Sequence, residues 1–250
     1  MTLADLDDAA LAARLAAEAG RILLDVREES GLAGKALGDE ADARANRFLC
    51  EAIRAARPAD ALLSEEERDD QLRCEHSRVW IIDPLDGTRE YSEGRADWAV
   101  HVALAVDGVA EIGAVALPGA EGSPVLRSDQ LFPSPAARDR PRFVVSRSRP
   151  AREAAQVAEA LGGALIPMGS AGAKAMAVVR GEAEVYLHSG GQHEWDSCAP
   201  VAVAKAHGLH CSRIDGSPLT YNRPDTYLPD LLICRPEWAE RILAEVARRA

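Results

Sequence analysis

The sequence predicts a mixed α/β fold, an α+β arrangement in which two amphipathic helices lead into a sheet and strands then alternate with helices. Three observations point to it. Apolar residues recur at spacings of three and four up to Arg57, and short apolar runs separated by turn residues follow as far as Arg127. Beyond a proline-containing stretch, strand-like and helix-like segments take turns.

In the first helix, residues 7–28, Leu11, Leu15, Ala19, Ile22 and Val26 line one face, with Asp7 at the start and Arg27 near the end, as a helix dipole favours. The second, Asp39 to Arg57, repeats the pattern through Ala45, Leu49 and Ile53 and is stopped by Pro58. Strands are expected at Ala61–Leu63, Val79–Ile82, Trp98–Val106, Glu111–Leu117 and Pro124–Arg127, with Asp107-Gly108 as a hairpin turn. Pro133, Pro135 and Pro141 and a scarcity of apolar residues mark 127–142 as a connection. It divides the chain into an N-terminal α+β part, 1–135, and a C-terminal α/β part, 136–250. The second part reads as strand at Phe143–Ser146, helix at Ala151–Leu161, strand at Ala164–Pro167 and helix at Ala171–Arg180 before Gly181. A strand at Val185–Leu187 and a helix at Ser197–His207, ended by Gly208, complete the pattern.

A chain of 250 residues, 47% apolar and 28% charged, can bury a full core without disulfide staples. The net charge of −11, with no dense Lys/Arg block, argues against a nucleic-acid polymer or an acidic membrane surface as partner. An anionic small molecule can still bind if local cations or metal ions offset the protein's own field. The five cysteines are scattered without a CxxC pair and read as free thiols. Asp5, Asp7 and Asp8 stand where a signal peptide would be basic, and no apolar stretch reaches the ~18 residues of a membrane span, so a soluble cytoplasmic protein is expected.

The most informative segment is Val79 to Gly94, VWIIDPLDGTREYSEG. Pro84 should end the strand ladder and Gly87 should permit a sharp turn, so that Asp83 and Asp86 face one point and can share a cation. The Leu85 carbonyl between them is a further oxygen ligand, and Gly87 and Thr88 open a short helix whose N–H groups favour a phosphate. Taken alone, Asp-Pro and Asp-Gly are simply good turn formers. Two more acidic positions at element ends add weight: Glu65 in Ser64-Glu65-Glu66-Glu67, after a short apolar strand, and Asp196 in Trp195-Asp196-Ser197, at a helix start. Three carboxylate sites without a Cys/His constellation suit Mg2+ or Mn2+ over Zn2+. His188 and His193, upstream of Asp196, are open to contact with a ligand but read more readily as ordinary loop histidines. GxxxxGK[ST] and GxGxxG are both missing, so nucleoside triphosphate hydrolysis and dinucleotide redox chemistry have no support.

DPLDGT with SEE upstream and WDSCAP downstream, in that order across nearly the whole chain, resembles the inositol monophosphatase superfamily of lithium-sensitive, magnesium-dependent phosphatases. Ala41 to Glu66 also fits without gaps the stretch that joins that family's aspartate to its metal-binding glutamate. The resemblance implies a layered αβαβα sandwich and a homodimer. It implies Glu65, Asp83, the Leu85 carbonyl, Asp86 and Asp196 as ligands of two or three Mg2+ ions, for which Mn2+ can substitute. Asp42, Glu65 and Thr88 become the catalytic set, with Asp42 and Thr88 orienting the attacking water, while Gly87 and Thr88 donate to the phosphate. Asp39 stays open between a place near the metal and a cap on the second helix.

Glu194-Trp195-Asp196, the run from Gly169 to Met176 and the region from Gly216 to Asp230 resemble the CysQ branch, especially its actinobacterial members. Inositol-specific members carry a carboxylate about seven residues before the WD aspartate; here Leu187-His188-Ser189-Gly190 takes that place. The branch implies removal of the 3'-phosphate of 3'-phosphoadenosine 5'-phosphate, or of its sulfated form, in sulfur assimilation. For the nucleotide, the helix starting near Gly169 and Ser170 is expected to form a second anion site, with Lys174 and either Arg89 or Arg223 nearby. The alternatives are inositol monophosphate or fructose 1,6-bisphosphate hydrolysis on the same framework, and a catalytically silent magnesium- or nucleotide-binding regulator.

Overall fold

The first helix, α1 (Asp8–Glu29), begins where the Asp7 carboxylate accepts the Ala10 N–H at 2.7 Å. The computed structural model describes residues 2–131 and 138–249. The second helix, α2, runs Gly34–Ala56, one turn longer at its start than the sequence pattern predicts, with Ala33 at the cap position. Asp39 therefore lies inside the helix and does not cap it; it is exposed and accepts from Lys35 Nζ at 2.6 and 2.7 Å. The two helices lie side by side and present Leu11, Leu15, Leu23, Leu49 and Ile53 to one face of a sheet.

That sheet has the order β1 (Ala61–Ser64), β2 (Arg78–Asp86), β3 (Ala99–Val106), β4 (Val109–Ala116) and β5 (Val125–Arg127). β1 and β2 are parallel and the other pairs antiparallel. Pro84 does not end β2 as expected. The strand continues through a bulge, pairing Asp83 with His101 and Asp86 with Ala99, so that Pro84 and Leu85 together oppose Val100. In a regular strand, residues three apart point to opposite faces; the extra residue brings Asp83 and Asp86 to the same one. Trp80, Ile82 and Leu85 pack toward α1 and α2, while Val79 and Ile81 pack toward the opposite layer. Gly87, at φ 92°, then turns the chain into α3 (Thr88–Ser92), the short helix the sequence predicts.

The second sheet has the order β7 (Ala164–Met168), β6 (Arg142–Ser146), β8 (Val185–His193), β10 (Tyr227–Cys234) and β9 (His210–Ser212). α5 (Ala171–Val179) and α6 (Glu194–Ala206) lie between the sheets, and α4 (Arg152–Ala160) and α7 (Pro236–Ala247) cover the far face. The result is the αβαβα sandwich. Small residues on the inner face of the first sheet, Ala99, Ala103 and Gly113, let the middle helices approach closely.

The sequence pattern contains no prediction for β9, β10 or α7, and it ends β8 six residues early. Pro229 interrupts the apolar run of β10; it sits at a register shift opposite Gly190 and Gly191, both at positive φ. His188 and His193 therefore belong to a strand and not to a loop. Pro133 and Pro135, and the division at 135/136, lie outside the described residues. Among the described residues no helix is long and apolar enough to cross a membrane.

Candidate active site

The parallel pairing of β1 with β2 sets Ser64 beside Ile82, and the Glu65 N–H continues the ladder to the Ile82 carbonyl at 3.3 Å. Glu65 is thereby delivered next to Asp83 at the strand ends. Ser64 Oγ donates to Asn46 Oδ1 at 2.7 Å, which ties β1 to α2 one turn beyond Asp42. From the middle layer, α6 contributes Asp196, whose Oδ2 accepts the His193 N–H at 2.7 Å. Ligand oxygens of Asp83, Asp86 and Asp196 lie within 4.8 Å of one another. Carboxylates separated by 110 residues of chain thus share one point, as expected from Asp86 and Asp196.

Electrostatics show what this crowding costs. Burial, then the charges of Glu65, Asp86, Asp196 and Asp42, push the Asp83 pKa well above the usual carboxylate value. Burial and the Asp86 charge raise Asp196 to about 7. Burial and the charges of Glu66, Glu65 and Asp39 raise Asp42 to about 8, and its buried Oδ1 has no hydrogen-bond partner among the described residues. Glu65 keeps solvent access; burial on its protein side raises it, opposed by a hydrogen bond with Asp83. Oxygen donors of one sign, partly orphaned and mutually repelling, fit a hard divalent cation.

Asp86 behaves oppositely. Burial alone would raise it, but the close contact and charge of His101, the charge of Lys174 and the Ser170 hydroxyl hold it below the usual range. The α5 N-terminus supplies the rest: Ala171 N–H donates to Oδ1 at 3.1 Å, Gly172 N–H to Oδ2 at 2.6 Å, and Ser170 Oγ–H also donates to Oδ2. This corrects the expected second anion site. The helix start does receive an anion, but the anion is the protein's own. The next N–H groups are taken too, Ala173 by Ser170 Oγ at 2.9 Å and Lys174 by the Ser170 carbonyl at 3.5 Å. Lys174 is buried, donates from Nζ to the Gly169 and Ser170 carbonyls, and rests 5.3 Å from the Tyr186 ring. Two of its three donors are therefore spent on the backbone.

His101 was not singled out from sequence, where a lone histidine in an apolar strand looks like core. It is fully buried beneath the acidic centre, with Nδ1 2.9 Å from the Trp195 carbonyl and Nε2 3.2 Å from Asp86 Oδ2. The second contact is close but misaligned for a hydrogen bond. Burial opposes its charged form, yet the Asp86 contact prevails and raises its pKa. Gly172 makes room for it: a Cβ there would lie 2.1 Å from His101 Nε2. The histidine thus links both helices that bear on the site.

Leu85 and Thr88 meet, the Thr88 hydroxyl donating to the Leu85 carbonyl at 3.1 Å. Asp86, Gly87, Gly169, Ser170, Lys174 and Asp196 line an open cleft of about 870 Å³. Arg89 also lines it, paired with Glu93 at 3.0 Å, whereas Arg223 is not among the lining residues. Glu194, read as part of a branch motif, is an anchor: its carboxylate accepts the Asn222 and Arg223 N–H groups at 2.7 and 2.9 Å. Ser189 Oγ donates to Glu153 of α4 at 2.6 Å and both line the cleft, so a carboxylate stands beside this stretch of β8 although its own sequence carries none.

A layered sandwich with an acidic centre at the mouth of a cleft defines a class of phosphatase folds, and the family model "Inositol monophosphatase family" matches residues 4–249. A protein of Mycobacterium leprae named 3'-phosphoadenosine 5'-phosphate phosphatase is 51% identical, over 97% of this chain and 94% of that one. The Escherichia coli K12 protein named 3'(2'),5'-bisphosphate nucleotidase CysQ is 30% identical over 75% of this chain and 80% of its own. Among solved structures, CysQ from Bacteroides thetaiotaomicron superposes with a TM-score of 0.74 at 28% identity, covering 90% of this chain and 96% of that one. The chain belongs to the inositol monophosphatase family, whose members are metal-dependent phosphatases.

Proposed function

We propose that the protein removes the 3'-phosphate of 3'-phosphoadenosine 5'-phosphate, and of its sulfated form, with Mg2+ as its metal, in the cytoplasmic recycling of nucleotides from sulfur assimilation. The observation that carries the chemistry is the convergence of Asp83, Asp86 and Asp196 within 4.8 Å. The 51% identical relative named for that substrate supports the choice of ester, and the cleft of about 870 Å³ has room for a nucleotide.

Glu65, Asp83, the Leu85 carbonyl, Asp86 and Asp196 would hold the ions. When bound, these supply positive charge against the phosphoryl oxygens and make water at the site more acidic. The chain's own groups do the positioning. Asp42 Oδ1, buried and without a partner among the described residues, receives the proton of the attacking water, and Thr88, fixed by its bond to the Leu85 carbonyl, orients that water. The Gly87 and Thr88 N–H groups donate to the phosphate, since the single proton of the Thr88 hydroxyl is held by the Leu85 carbonyl. His101 and the α5 N-terminus fix Asp86 so that it does not swing to relieve repulsion. Lithium sensitivity and a homodimer complete the proposal.

The test is phosphate release from 3'-phosphoadenosine 5'-phosphate, inositol 1-phosphate and fructose 1,6-bisphosphate, each with and without Mg2+. Mg2+-dependent turnover that favours the nucleotide is expected; preference for either sugar ester, or turnover untouched by chelation, would sink the reading.

A further inference from the structure

A 3',5'-bisphosphate brings two anionic groups, and the acidic centre with its ions accounts for one. The protein carries −11, so the other must meet local cations. Most cationic side chains near the cleft are committed. Lys174 is turned to backbone carbonyls. Arg89 pairs with Glu93, and Arg147 is held by Glu90 and Glu93, each at 2.6 Å. The α5 N-terminus is filled by Asp86.

Two guanidinium groups remain. Arg149 and Arg152 line the same cleft as Asp86 and Asp196, are exposed, and make no side-chain hydrogen bond or ion pair among the described residues. Arg149 projects from a short anchored connection between β6 and α4, and Arg152 opens α4 itself: the Arg149 N–H donates to Ser146 Oγ at 3.2 Å, Pro150 restricts the backbone, and Ala151 is buried. The neighbouring carboxylate, Glu153, is engaged by the Ser189 hydroxyl at 2.6 Å and feels the Arg152 charge without an ion pair between them. Across the cleft on β8, burial and then the charges of Lys174 and Arg149 lower the His188 pKa, so the Arg149 charge is felt inside the cleft. A pair of free guanidinium forks suits a phosphate, which each can grip through two parallel N–H bonds.

We propose, on the reading that the substrate is a 3',5'-bisphosphorylated nucleoside, that Arg149 and Arg152 receive its second phosphate and set the preference for bisphosphates over monophosphates. The test compares kcat/KM for 3'-phosphoadenosine 5'-phosphate and adenosine 3'-monophosphate, with saturating Mg2+, in the wild type, Arg149→Ala, Arg152→Ala, the double variant and Arg149→Lys. The wild type is expected to favour the bisphosphate. The double variant should lose about tenfold or more of that ratio, chiefly as a rise in KM for the bisphosphate, with Arg149→Lys intermediate. A double variant that keeps the wild-type ratio, or loses rate equally on both esters, overturns the assignment. Failure of the underlying reading looks different: the wild type would then hydrolyse neither adenosine ester, or show no preference between them.

Discussion

At the scale of single residues, Asp83 combines the deepest burial with the strongest repulsion, from Glu65, Asp86, Asp196 and Asp42. Replacing it by asparagine removes the charge of a proposed ligand and relieves that repulsion together. Asp83→Asn is expected to lower kcat by about 100-fold or more while leaving the metal-free Tm no lower than that of the wild type; a folded variant with full turnover would exclude Asp83 as a ligand. Gly172 tests the buried histidine beneath the site. An alanine Cβ there would displace His101, whose Nε2 lies 2.1 Å away, and outer partners of metal ligands typically matter by about 10–100-fold. Gly172→Ala is expected to weaken Mn2+ affinity by that factor in a direct binding titration; unchanged affinity would deny His101 its positioning role. Glu65, Asp86 and Asp196 were legible in sequence because each stands at the end of a strand or the start of a helix, and Asp83 because it precedes a proline in an apolar run. His101 and Gly172 were not, because nothing in an alternating strand or an alanine-rich helix shows that the two touch.

At the scale of elements, the β2 bulge decides the site. The DPLD segment read correctly as two aspartates facing one point, but for a mechanism that does not operate: Pro84 opens a bulge inside the strand and does not terminate it. The α5 start was misread for a related reason. A helix N-terminus advertises an anion site in sequence, whereas the partner that fills it, Asp86, lies 84 to 86 residues earlier in the chain. β10 escaped because Pro229 breaks its apolar run, and the paired glycines that accommodate it belong to β8. Glu194 belongs to this scale as the clamp between α6 and the 222–223 turn. Glu194→Ala leaves two N–H groups without their acceptor, a loss of about 1–3 kcal/mol, which at 2–4 °C per kcal/mol is expected to lower Tm by about 2–12 °C. An unaltered melting temperature would show that the clamp contributes nothing.

At the scale of the whole molecule, the raised carboxylates make stability depend on pH and on metal. Asp42 and Asp196 have folded-state values of about 8 and about 7, against ~4 in an unfolded chain. The fold holds their protons more tightly, so their contribution is full below ~4 and fades as pH rises through 7 and 8. Asp86, shifted downward, contributes above ~4 and loses that contribution on acidification. The metal-free protein is therefore expected to be most stable near pH ~5 and to lose about 5 °C or more in Tm by pH ~8.5, with Mg2+ restoring it. A flat metal-free profile over that range would contradict this. The mixed α/β class followed from the alternation of periods along the chain and the layered sandwich from the family resemblance, but which carboxylates meet is a property of the assembled layers. The most direct measurement is therefore an anomalous difference map from crystals soaked in Mn2+. A peak within ligand distance of Asp83, Asp86 and Asp196 is the expected result; a map with no peak there, or with Mn2+ bound only elsewhere, would contradict the account.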